Sequence, residues 1–294
     1  MKPGTKHVTQ NVKRPAGAVP PVSAKPQTGK PTHWNEVAGW YDEHVGNDGN
    51  EYQQQVIFPG VLKLLGLLEK GAEVRPRILD LACGQGAFCR KLATLECGVT
   101  GVDAAAALVA AAEKRDATDK LGIRYLVADA TRLAVGGQEL PAESFDAVTI
   151  ILAIQNMSPL SPLWKACHAL LKPGGSLVLV MMHPCFRVPQ RSDWQWDAAK
   201  GRQSRLVTQY LTSEKIAIQT HPGLAAHGKS ESSTAHFHRP LQAYVNTLGS
   251  SGLLVDRMEE WPSHKKSQPG PKQAEMDRSR VEIPMFLAVR AKRV

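Results

Sequence analysis

The sequence predicts an α/β protein in which a mostly parallel β-sheet is covered by helices on both faces. Between residues 77 and 182, short apolar runs alternate with segments of helical periodicity. This alternation is typical of parallel strands that are joined by crossover helices. A glycine-rich turn follows the first apolar run, and such turns mark the ends of strands. Because these sheets bind ligands at the carboxyl ends of their strands, we expect a binding site along that edge.

Five strands and three connecting helices are predicted in this region. The strands are expected at residues 77–81, 99–102, 124–127, 145–151 and 176–182, and the helices at 87–95, 104–115 and 161–171. Each strand is a short apolar run, and each helix repeats its apolar residues at the spacing of helical turns. Strands that are apolar throughout are expected where both faces of a sheet are buried.

The segments outside this alternation are predicted to form a cap, a lid and a closing pair of strands. Residues 33–70 are expected to be an N-terminal helical cap, whose second helix is kinked at Pro59-Gly60. Residues 184–239 lose the α/β pattern, and their weakly alternating runs predict a small inserted lid with β-structure over the substrate. A helix at 240–250 follows, then strands at 252–261 and 283–291, with a surface loop at 263–280 between them.

The first 32 residues are predicted to be a disordered basic tail, and residues 33–294 one domain. The tail carries six lysine or arginine residues, no acidic residue and few large apolar ones. Removing those six charges from the net charge of +9 leaves +3, which is ordinary for a soluble domain. We favour a solvated leader over a nucleic-acid contact, although the basic charge permits one.

Composition argues against membrane, secreted and metal-binding classes. No apolar run is long enough to span a bilayer, and no charged segment followed by an apolar one indicates a secretory leader. The five cysteines include no C-x-x-C pair, which argues against a zinc site or a disulfide framework. We therefore expect a cytoplasmic protein with reduced thiols, no metal and no membrane attachment. The oligomeric state stays open.

The first predicted strand leads into the most informative motif of the chain. Its apolar run ends in Asp80-Leu-Ala-Cys-Gly-Gln-Gly86, so an acidic residue precedes a glycine turn that opens a helix. Gly84 and Gly86 let a ligand approach the backbone closely, because no Cβ is in the way. Asp103 ends the next strand, where a carboxylate can accept both hydroxyl groups of a ribose. The combination predicts a site for a small molecule that contains adenosine.

The same motif discriminates between adenosine ligands. A dinucleotide fingerprint needs a third glycine where this chain has Cys89, and a phosphate-binding loop needs Gly-Lys-Ser/Thr, which is absent. Asp80 would repel a pyrophosphate at this turn, but it can orient groups that bind an ammonium. The motif therefore favours a ligand that joins adenosine to an amino acid over NAD or ATP.

The segment from Asp80 to Gly86 resembles the first motif of the class I S-adenosylmethionine-dependent methyltransferases. Asp103 falls where that family places its ribose-binding acid, and Asp129-Ala130 resembles the pair that flanks the adenine. The segment LKPGGSLVLV, residues 171–180, is similar to the family's turn into the fifth strand. The four motifs follow one another in the family's order. One departure is Ala82, where many members carry glycine.

The resemblance implies a Rossmann-like fold with a seven-stranded, mostly parallel sheet and S-adenosylmethionine as the cofactor. The last two predicted strands would form the antiparallel hairpin that closes the sheet. Tyr41 is a candidate because the leading helix of many members folds over the cofactor. An aromatic face near a sulfonium contributes about 0.5 to 2 kcal/mol, although packing in the core is an alternative. The expected cofactor-binding residues are Tyr41, Asp80, Ala82, Gly84, Gly86, Asp103, Ala104, Asp129, Ala130 and Gln155.

Two histidines are candidates for a catalytic base. Methyl transfer from a sulfonium mainly requires that the reactants are aligned and water is excluded, but a base helps where the acceptor is a hydroxyl or a protonated amine. His183, at the end of the fifth strand, is the first candidate, and its alternative is a structural role in the turn to the lid. His238 is the second, and it shares one face of an extended segment with His236. Both can instead anchor the lid.

These observations predict methyl transfer to an oxygen or a nitrogen of a small-molecule acceptor. The segment after the fourth strand, Gln155-Asn156, lacks the Asn-Pro-Pro-Tyr or Asp-Pro-Pro-Tyr signature, which argues against nucleobase and glutamine acceptors. An RNA or protein methyltransferase that uses the basic tail remains an alternative, as does a binding protein without catalysis. An NAD-dependent oxidoreductase is disfavoured by the missing glycine. Because this fold hosts many acceptors, the acceptor stays open.

Overall fold

The computed structural model describes residues 34–68, 75–219 and 233–294. The predicted basic tail lies outside these residues, as does part of the predicted lid. The described residues contain eleven strands: β1 Arg77–Leu81, β2 Gly98–Asp103, β3 Arg124–Val127, β4 Phe145–Ile151, β5 Leu171–Met182, β6 Ser192–Asp197, β7 Arg202–Val207, β8 Glu214–Gln219, β9 Ser233–His238, β10 Leu253–Trp261 and β11 Phe286–Arg293. They also contain seven α-helices: α1 Trp34–Val45, α2 Phe58–Leu64, α3 Ala87–Ala93, α4 Ala106–Asp119, α5 Leu160–Leu170, α6 Leu241–Gly249 and α7 Gln273–Glu282.

Seven of the strands form one sheet in the order β10-β11-β5-β4-β1-β2-β3. Strands β1 to β5 run parallel to one another, whereas β11 is antiparallel to β5 and β10 is antiparallel to β11. The predicted mostly parallel sheet and its antiparallel closing hairpin are thus confirmed. The carboxyl ends of β3, β2, β1, β4 and β5 lie side by side in that order, so the motifs that follow these strands share one edge.

The central strands are mostly apolar because helices cover both faces of the sheet. In β1, the side chains of Leu79 and Leu81 belong to a buried cluster that contains residues of α5 and α6. Ile78 points to the opposite face, where its cluster contains residues of α2, α3 and α4. Successive side chains of a strand face opposite sides of the sheet, so neither face of β1 needs polar residues. This explains why periodicity alone identified the central strands.

The cap differs from its prediction at the second helix. A π-helical turn, Gln53–Ile57, precedes α2, and Pro59 lies in the first turn of α2. The π-helical turn runs directly into α2, and Pro59, which has no backbone N–H, cannot donate to a carbonyl oxygen of that turn. The irregular backbone thus lies immediately before Pro59-Gly60, and a kink at that pair stays a prediction.

Gly60 and Gly39 give opposite expectations for the same substitution. A Cβ at Gly60 would lie 2.3 Å from Cζ2 of Trp261, whereas nothing lies within 4 Å of a Cβ at Gly39. We expect Gly60→Ala to destabilise the protein by about 1–3 kcal/mol because the helix must move away from the indole. Gly39→Ala in α1 should stabilise it by about 0.5–1 kcal/mol, the ordinary helix preference. Urea denaturation of both variants tests this, and a stabilising Gly60→Ala would refute the close packing of α2 on Trp261.

One helix, α7, lies in the segment predicted as a surface loop, so that prediction was wrong. Only Ser279 of α7 is buried, and the helix therefore has no apolar stripe that sequence periodicity could detect. It is supported by ion pairs of Arg278 with Glu275 and Glu282, at the helical spacings i,i+3 and i,i+4. The backbone N–H of Gln203 also donates to Glu275, over 3.0 Å. Local charge pairing and contact with β7 form this helix.

The inserted segment contains two antiparallel strand pairs, β6 with β7 and β8 with β9. The prediction of β-structure in this segment is confirmed, although β7 ends at Val207 and residues 220–232 lie outside the described residues. Trp194 on β6 has the guanidinium groups of Arg187 and Arg205 at 5.4 and 5.2 Å from its ring centre. Trp196 lies 4.8 Å from the Lys272 ammonium. Both indoles thus contact cationic side chains.

Three further features of the described residues concern metal binding, membrane spanning and the cysteines. Among the described residues, no group of three His, Cys, Asp or Glu side chains is arranged to hold a metal ion. Within the same residues, no helix has the length and apolar character to cross a bilayer. The five cysteines form no disulfide, and Cys89, Cys97 and Cys167 are buried.

Candidate active site

The glycine turn between β1 and α3 is built from left-handed backbone conformations. Ala82, Gly84 and Gly86 have φ angles of 57°, 57° and 81°. A Cβ at Gly86 would lie 2.4 Å from the hydroxyl oxygen of Tyr125, so only glycine fits there. At Ala82 the left-handed conformation is what a glycine would adopt without strain. The alanine is tolerated, which explains how the chain departs from the family pattern without losing the turn.

Asp103 ties the glycine turn to the end of β2. Its carboxylate accepts hydrogen bonds of 2.8 Å from the backbone N–H of Gly84 and from that of Ala105. Burial raises the pKa of Asp103, and the backbone donors oppose this rise. One donor on each oxygen leaves further lone pairs, so the carboxylate can accept hydroxyl groups as well. Ala104, between these partners, is exposed beside the carboxylate.

Asp80 lies inside the sheet edge rather than at its surface. Its carboxylate accepts a 2.6 Å hydrogen bond from the hydroxyl of Thr149 on β4 and a weaker one, 3.5 Å, from the thiol of Cys89. Burial raises the pKa of Asp80 to about 7, an effect that these two donors oppose and the nearby Asp103 carboxylate reinforces. The group is therefore balanced between its charged and neutral forms near neutral pH. A cation placed against it would favour the charged form.

Tyr41 places α1 over the glycine turn. A Cβ at Gly84 would lie 3.1 Å from Cε1 of Tyr41, so the ring lies directly on the turn. Burial raises the pKa of the Tyr41 hydroxyl, and the carboxylates of Asp103 and Asp80 add to this rise. A partly open pocket lies here, and its lining includes Tyr41, Asp80, Ala82 and Cys83. Trp40, in contrast, stacks on His44 at 5.2 Å.

Asp129 and Ala130 follow β3 at the far end of the same edge. The Asp129 carboxylate is exposed and accepts from the backbone N–H of Thr131 over 2.9 Å, which caps the short 3-10 turn Ala130–Arg132. Ala130 is buried. The backbone N–H of Ala128 donates to the carbonyl oxygen of Asp103, so the β3 end is held next to the β2 end. An acid and an apolar methyl are thus presented together beside Asp103.

Gln155 carries a buried polar atom without a partner. It lies in the 3-10 turn Ile154–Asn156 that follows β4, and the residue is 6% exposed. Among the described residues, no hydrogen bond reaches its Oε1 atom. Leaving a buried acceptor unsatisfied costs about 1–3 kcal/mol. Such an atom at the carboxyl end of a central strand fits a position where a bound molecule supplies the donor.

His183 is held by hydrogen bonds on both ring nitrogens. Nε2 lies 2.6 Å from Oε1 of Glu260 on β10, and Nδ1 accepts from the backbone N–H of Cys185 over 3.2 Å. The ring is 2% exposed, and burial lowers its pKa although Glu260 opposes this. With Nδ1 as acceptor, Nε2 carries the proton and donates it to Glu260. This geometry favours the structural alternative, in which His183 anchors the turn into the lid, and the role as base stays a prediction.

The ring of His238 is anchored within the inserted segment. Its ring is buried, and Nε2 lies 2.8 Å from the carbonyl oxygen of Tyr210, an acceptor that holds the proton on Nε2. Within the described residues, no hydrogen bond engages Nδ1. The neighbouring His236 stays neutral, since burial and then the His238 and Arg239 charges lower its pKa to about 4. His238 thus presents an oriented imidazole with one nitrogen available.

The end of β9 is attached to the same edge as Gln155. Arg239 donates a 2.8 Å hydrogen bond to the carbonyl oxygen of Met157, and β9 contacts the 3-10 turn Ile154–Asn156. The structure therefore brings Asp129, Asp103, Asp80, Gln155 and His183 into one row along the strand ends. His238 approaches this row from the lid.

Four contributors to the site carry no sequence signal of their own. Thr149 orients Asp80 from the neighbouring strand, Tyr125 closes the space under Gly86, and Cys89 donates to Asp80. Arg90 donates to the carbonyl oxygen and the side-chain Oε1 of Gln85 over 2.7 and 2.8 Å. It thereby braces the glycine turn from α3. Each residue acts through pairing across strands or through helix position, which only the folded chain reveals.

Comparison with known proteins agrees with this arrangement. The profile of a family described as "Methyltransferase domain" matches residues 79–179. A solved S-adenosylmethionine-dependent methyltransferase from Mesorhizobium loti is 30% identical, with a TM-score of 0.59, and the match covers 80% of this chain and 100% of that one. A putative S-adenosylmethionine-dependent methyltransferase from Listeria monocytogenes, 22% identical with a TM-score of 0.57 and coverage of 80% and 99%, shares the fold.

Curated relatives match over shorter segments. A ubiquinone biosynthesis O-methyltransferase from Rhodopseudomonas palustris is 28% identical over 162 residues, which are 50% of this chain and 61% of the relative. The one from Xanthomonas axonopodis pv. citri is 35% identical over 103 residues, 35% of this chain and 41% of the relative. The chain thus spans between two fifths and two thirds of these relatives.

Proposed function

This chain belongs to the S-adenosylmethionine-dependent methyltransferases, and we propose that it transfers a methyl group from S-adenosylmethionine to an oxygen or a nitrogen of a small-molecule acceptor. The observation that carries the proposal is the pair of buried carboxylates, Asp80 and Asp103, on either side of a glycine turn with left-handed backbone at Gly84. The carboxylate of Asp103, which already accepts backbone N–H groups, suits ribose hydroxyls. The carboxylate of Asp80, whose pKa is raised, suits an ammonium.

Each residue of this edge would contact one part of the cofactor. Asp103 would hold the ribose hydroxyls, and the exposed acid of Asp129 beside the buried methyl of Ala130 would hold the adenine. Asp80 and the unsatisfied Oε1 of Gln155 would face the methionine part, whose ammonium supplies hydrogen-bond donors. Tyr41 would close the site from α1. The unsatisfied buried acceptor is the strongest sign that this edge is built for a ligand.

The chain contributes alignment, exclusion of water and a proton acceptor. Bound S-adenosylmethionine supplies an electrophilic methyl group on its sulfonium. The lid, residues 184–239, would cover the acceptor at the ends of β4 and β5. An acceptor hydroxyl or ammonium must lose a proton on methylation, and Nδ1 of His238 would take it, while the Tyr210 carbonyl oxygen stabilises the imidazolium through Nε2. The names of the curated relatives, O-methyltransferases, are consistent with an oxygen acceptor.

Calorimetric titration of the full chain tests the proposal. We expect S-adenosylmethionine and S-adenosylhomocysteine to bind with micromolar dissociation constants, about −8 kcal/mol, and NAD not to bind. A screen of small molecules with radiolabelled methyl donor would then identify acceptors. Tight binding without turnover on any acceptor would support a binding protein, and turnover only on RNA or protein would replace the small-molecule assignment. No binding of either sulfur ligand would refute the proposal.

Cofactor affinity is expected to depend on pH through Asp80. Its pKa of about 7 means that the free protein holds the carboxyl group largely protonated at pH 6. An ammonium prefers the carboxylate, so binding releases a proton, and the affinity should rise by up to tenfold per pH unit below pH 7 and level off above it. Calorimetry with S-adenosylhomocysteine from pH 5.5 to 8 measures this. In Asp80→Asn the dependence should vanish, and an equally steep dependence in that variant would assign the titration to another group.

A further inference from the structure

Arg187 is a cation in the turn that follows His183, the last residue of the row at the strand ends. It ends the turn that follows β5, where its backbone N–H donates to the carbonyl oxygen of His183 over 2.8 Å. Its side chain is half-buried, and the Nε atom is buried with no hydrogen-bond partner. Among the described residues, no carboxylate forms an ion pair with it. A buried guanidinium donor is costly to leave unsatisfied, so this arrangement needs an explanation.

The charges around Arg187 have its own sign. Burial, and then the positive charge of Arg205, lower the pKa of the guanidinium to about 10; Arg280 adds to this effect and Tyr52 opposes it. The pKa falls because the surroundings of the free protein disfavour the charged form. An arginine nevertheless keeps its charge near neutral pH. A negative group brought against it would remove this penalty.

Arg205 has a structural role that Arg187 lacks. Its Nε donates to the carbonyl oxygen of Phe186 over 2.8 Å, and its Nη2 donates to the hydroxyl of Ser192 over 2.8 Å. It therefore holds the hairpin of β6 and β7 against the turn. Arg187 lies over the ring of Trp194, 5.4 Å from its centre. Of these two arginines, only Arg187 has a buried Nε without a hydrogen-bond partner among the described residues.

Arg187 lies in the described part of the inserted segment, where it contacts Trp194 of the hairpin of β6 and β7. The phenol group of Tyr52 is close enough to influence its charge. His183, four residues earlier, ends the row of residues along the sheet edge. An acceptor that lies beneath the lid would pass this guanidinium.

We propose that Arg187 binds an anionic group of the methyl acceptor, a carboxylate or a phosphate. This inference rests on the proposed function, since it specifies the substrate class of the same site. A planar guanidinium can donate two parallel hydrogen bonds to either anion, which would satisfy the buried Nε and neutralise the cluster of Arg187, Arg205 and Arg280. The acceptor is therefore a small acid whose hydroxyl or amine is methylated while its anionic group lies on the lid turn.

Binding of matched probes to the full chain, saturated with S-adenosylhomocysteine, tests the assignment. The probes are benzoate and phenyl phosphate, with benzamide as the neutral analogue, and calorimetry measures each affinity. The wild-type protein should bind at least one anion more tightly than benzamide, and the preferred anion identifies the source of the charge. Arg187→Gln should weaken the anion by about 10- to 100-fold, and Arg187→Lys, which keeps the charge without the planar donor pair, by less. Arg202→Gln, an exposed arginine on β7, is the control and should bind as the wild type does.

The outcomes separate this inference from the function on which it rests. If S-adenosylhomocysteine binds but neither anion does, or if Arg187→Gln binds the anions as well as the wild type, the role of Arg187 is refuted and the methyltransferase proposal stands. If S-adenosylhomocysteine fails to bind, the proposed function fails first. The melting temperature of Arg187→Gln without anion guards against misfolding. This melting temperature should be no lower than that of the wild type, because the variant loses an uncompensated charge. A lower melting temperature, together with equally weakened anion binding in Arg187→Gln and Arg187→Lys, would indicate a packing role.

Discussion

Replacing Asp103 by alanine is expected to raise the dissociation constant for S-adenosylhomocysteine by about 100-fold or more. The substitution removes two short charge-assisted hydrogen bonds, to the backbone N–H groups of Gly84 and Ala105, and with them the acceptor for the ribose hydroxyls. Hydrogen bonds to a charged group contribute about 1.5–3 kcal/mol each, and 1.4 kcal/mol corresponds to tenfold in affinity. The glycine turn would also lose its tie to β2. Calorimetry of wild type and variant measures the change directly.

Two controls make the Asp103 result specific. Asp103→Asn keeps the shape, but its amide nitrogen would face a backbone N–H donor, so its affinity should also fall. Asp129→Ala removes an exposed acid at the proposed adenine end, where solvent competes, so it should weaken binding by less than Asp103→Ala. An Asp103→Ala variant that binds within threefold of the wild type would contradict the ribose role. It would also show that the turn keeps its form without the carboxylate.

Replacing His238 by glutamine is expected to lower kcat by about 100-fold or more on an acceptor found in the methyl-transfer screen, with the affinity for S-adenosylhomocysteine unchanged. Positioned proton transfer contributes roughly 10²- to 10⁴-fold to a rate. The glutamine amide can still donate to the Tyr210 carbonyl oxygen, so the lid anchor is retained while the proton acceptor is lost. Steady-state kinetics across pH separates the two roles, because only loss of a base removes the acidic limb of the rate profile.

His183→Gln is the matched comparison for this prediction. His183 joins Glu260 on β10 to the turn at Cys185 through both ring nitrogens, so its replacement should lower the melting temperature more than it lowers kcat. The reverse pattern would identify His183 as the base. In that case His183→Gln would lose turnover at an unchanged melting temperature, and His238→Gln would keep the kcat of the wild type. A kcat that is unaffected in both variants would mean that the acceptor reacts without a protein base.

The glycine turn and the parallel strands could be predicted from the sequence because their determinants are local. A left-handed backbone position favours a glycine such as Gly84 or Gly86. A strand buried on both faces favours an unbroken apolar run such as residues 177–182 of β5. The order of strands from β3 to β5 then brings Asp129, Asp103 and Asp80 to one edge. The position of the cofactor candidates was therefore predictable before any coordinate was known.

Helix α7 and the π turn before Pro59 were not predictable from periodicity. The first has no apolar stripe, because it is stabilised by charge pairs of Arg278 and by contact with β7. The second depends on how the cap packs on the sheet. Sequence patterns report burial, so elements that owe little to burial leave no pattern to read.

The sequence by itself determined the strands, the glycine turn and the acids that follow the strands, since each depends on the residue at that position and its near neighbours. Only the tertiary structure decided which histidine has a ring nitrogen without a hydrogen bond and which arginine has a buried Nε without a hydrogen-bond partner among the described residues. Both ring nitrogens of His183 are engaged by groups that other segments supply, while His238 keeps one free within the described residues. The difference arises because hydrogen-bond partners and charges meet through the fold, and a residue's chemistry is completed by neighbours that lie far away in the chain.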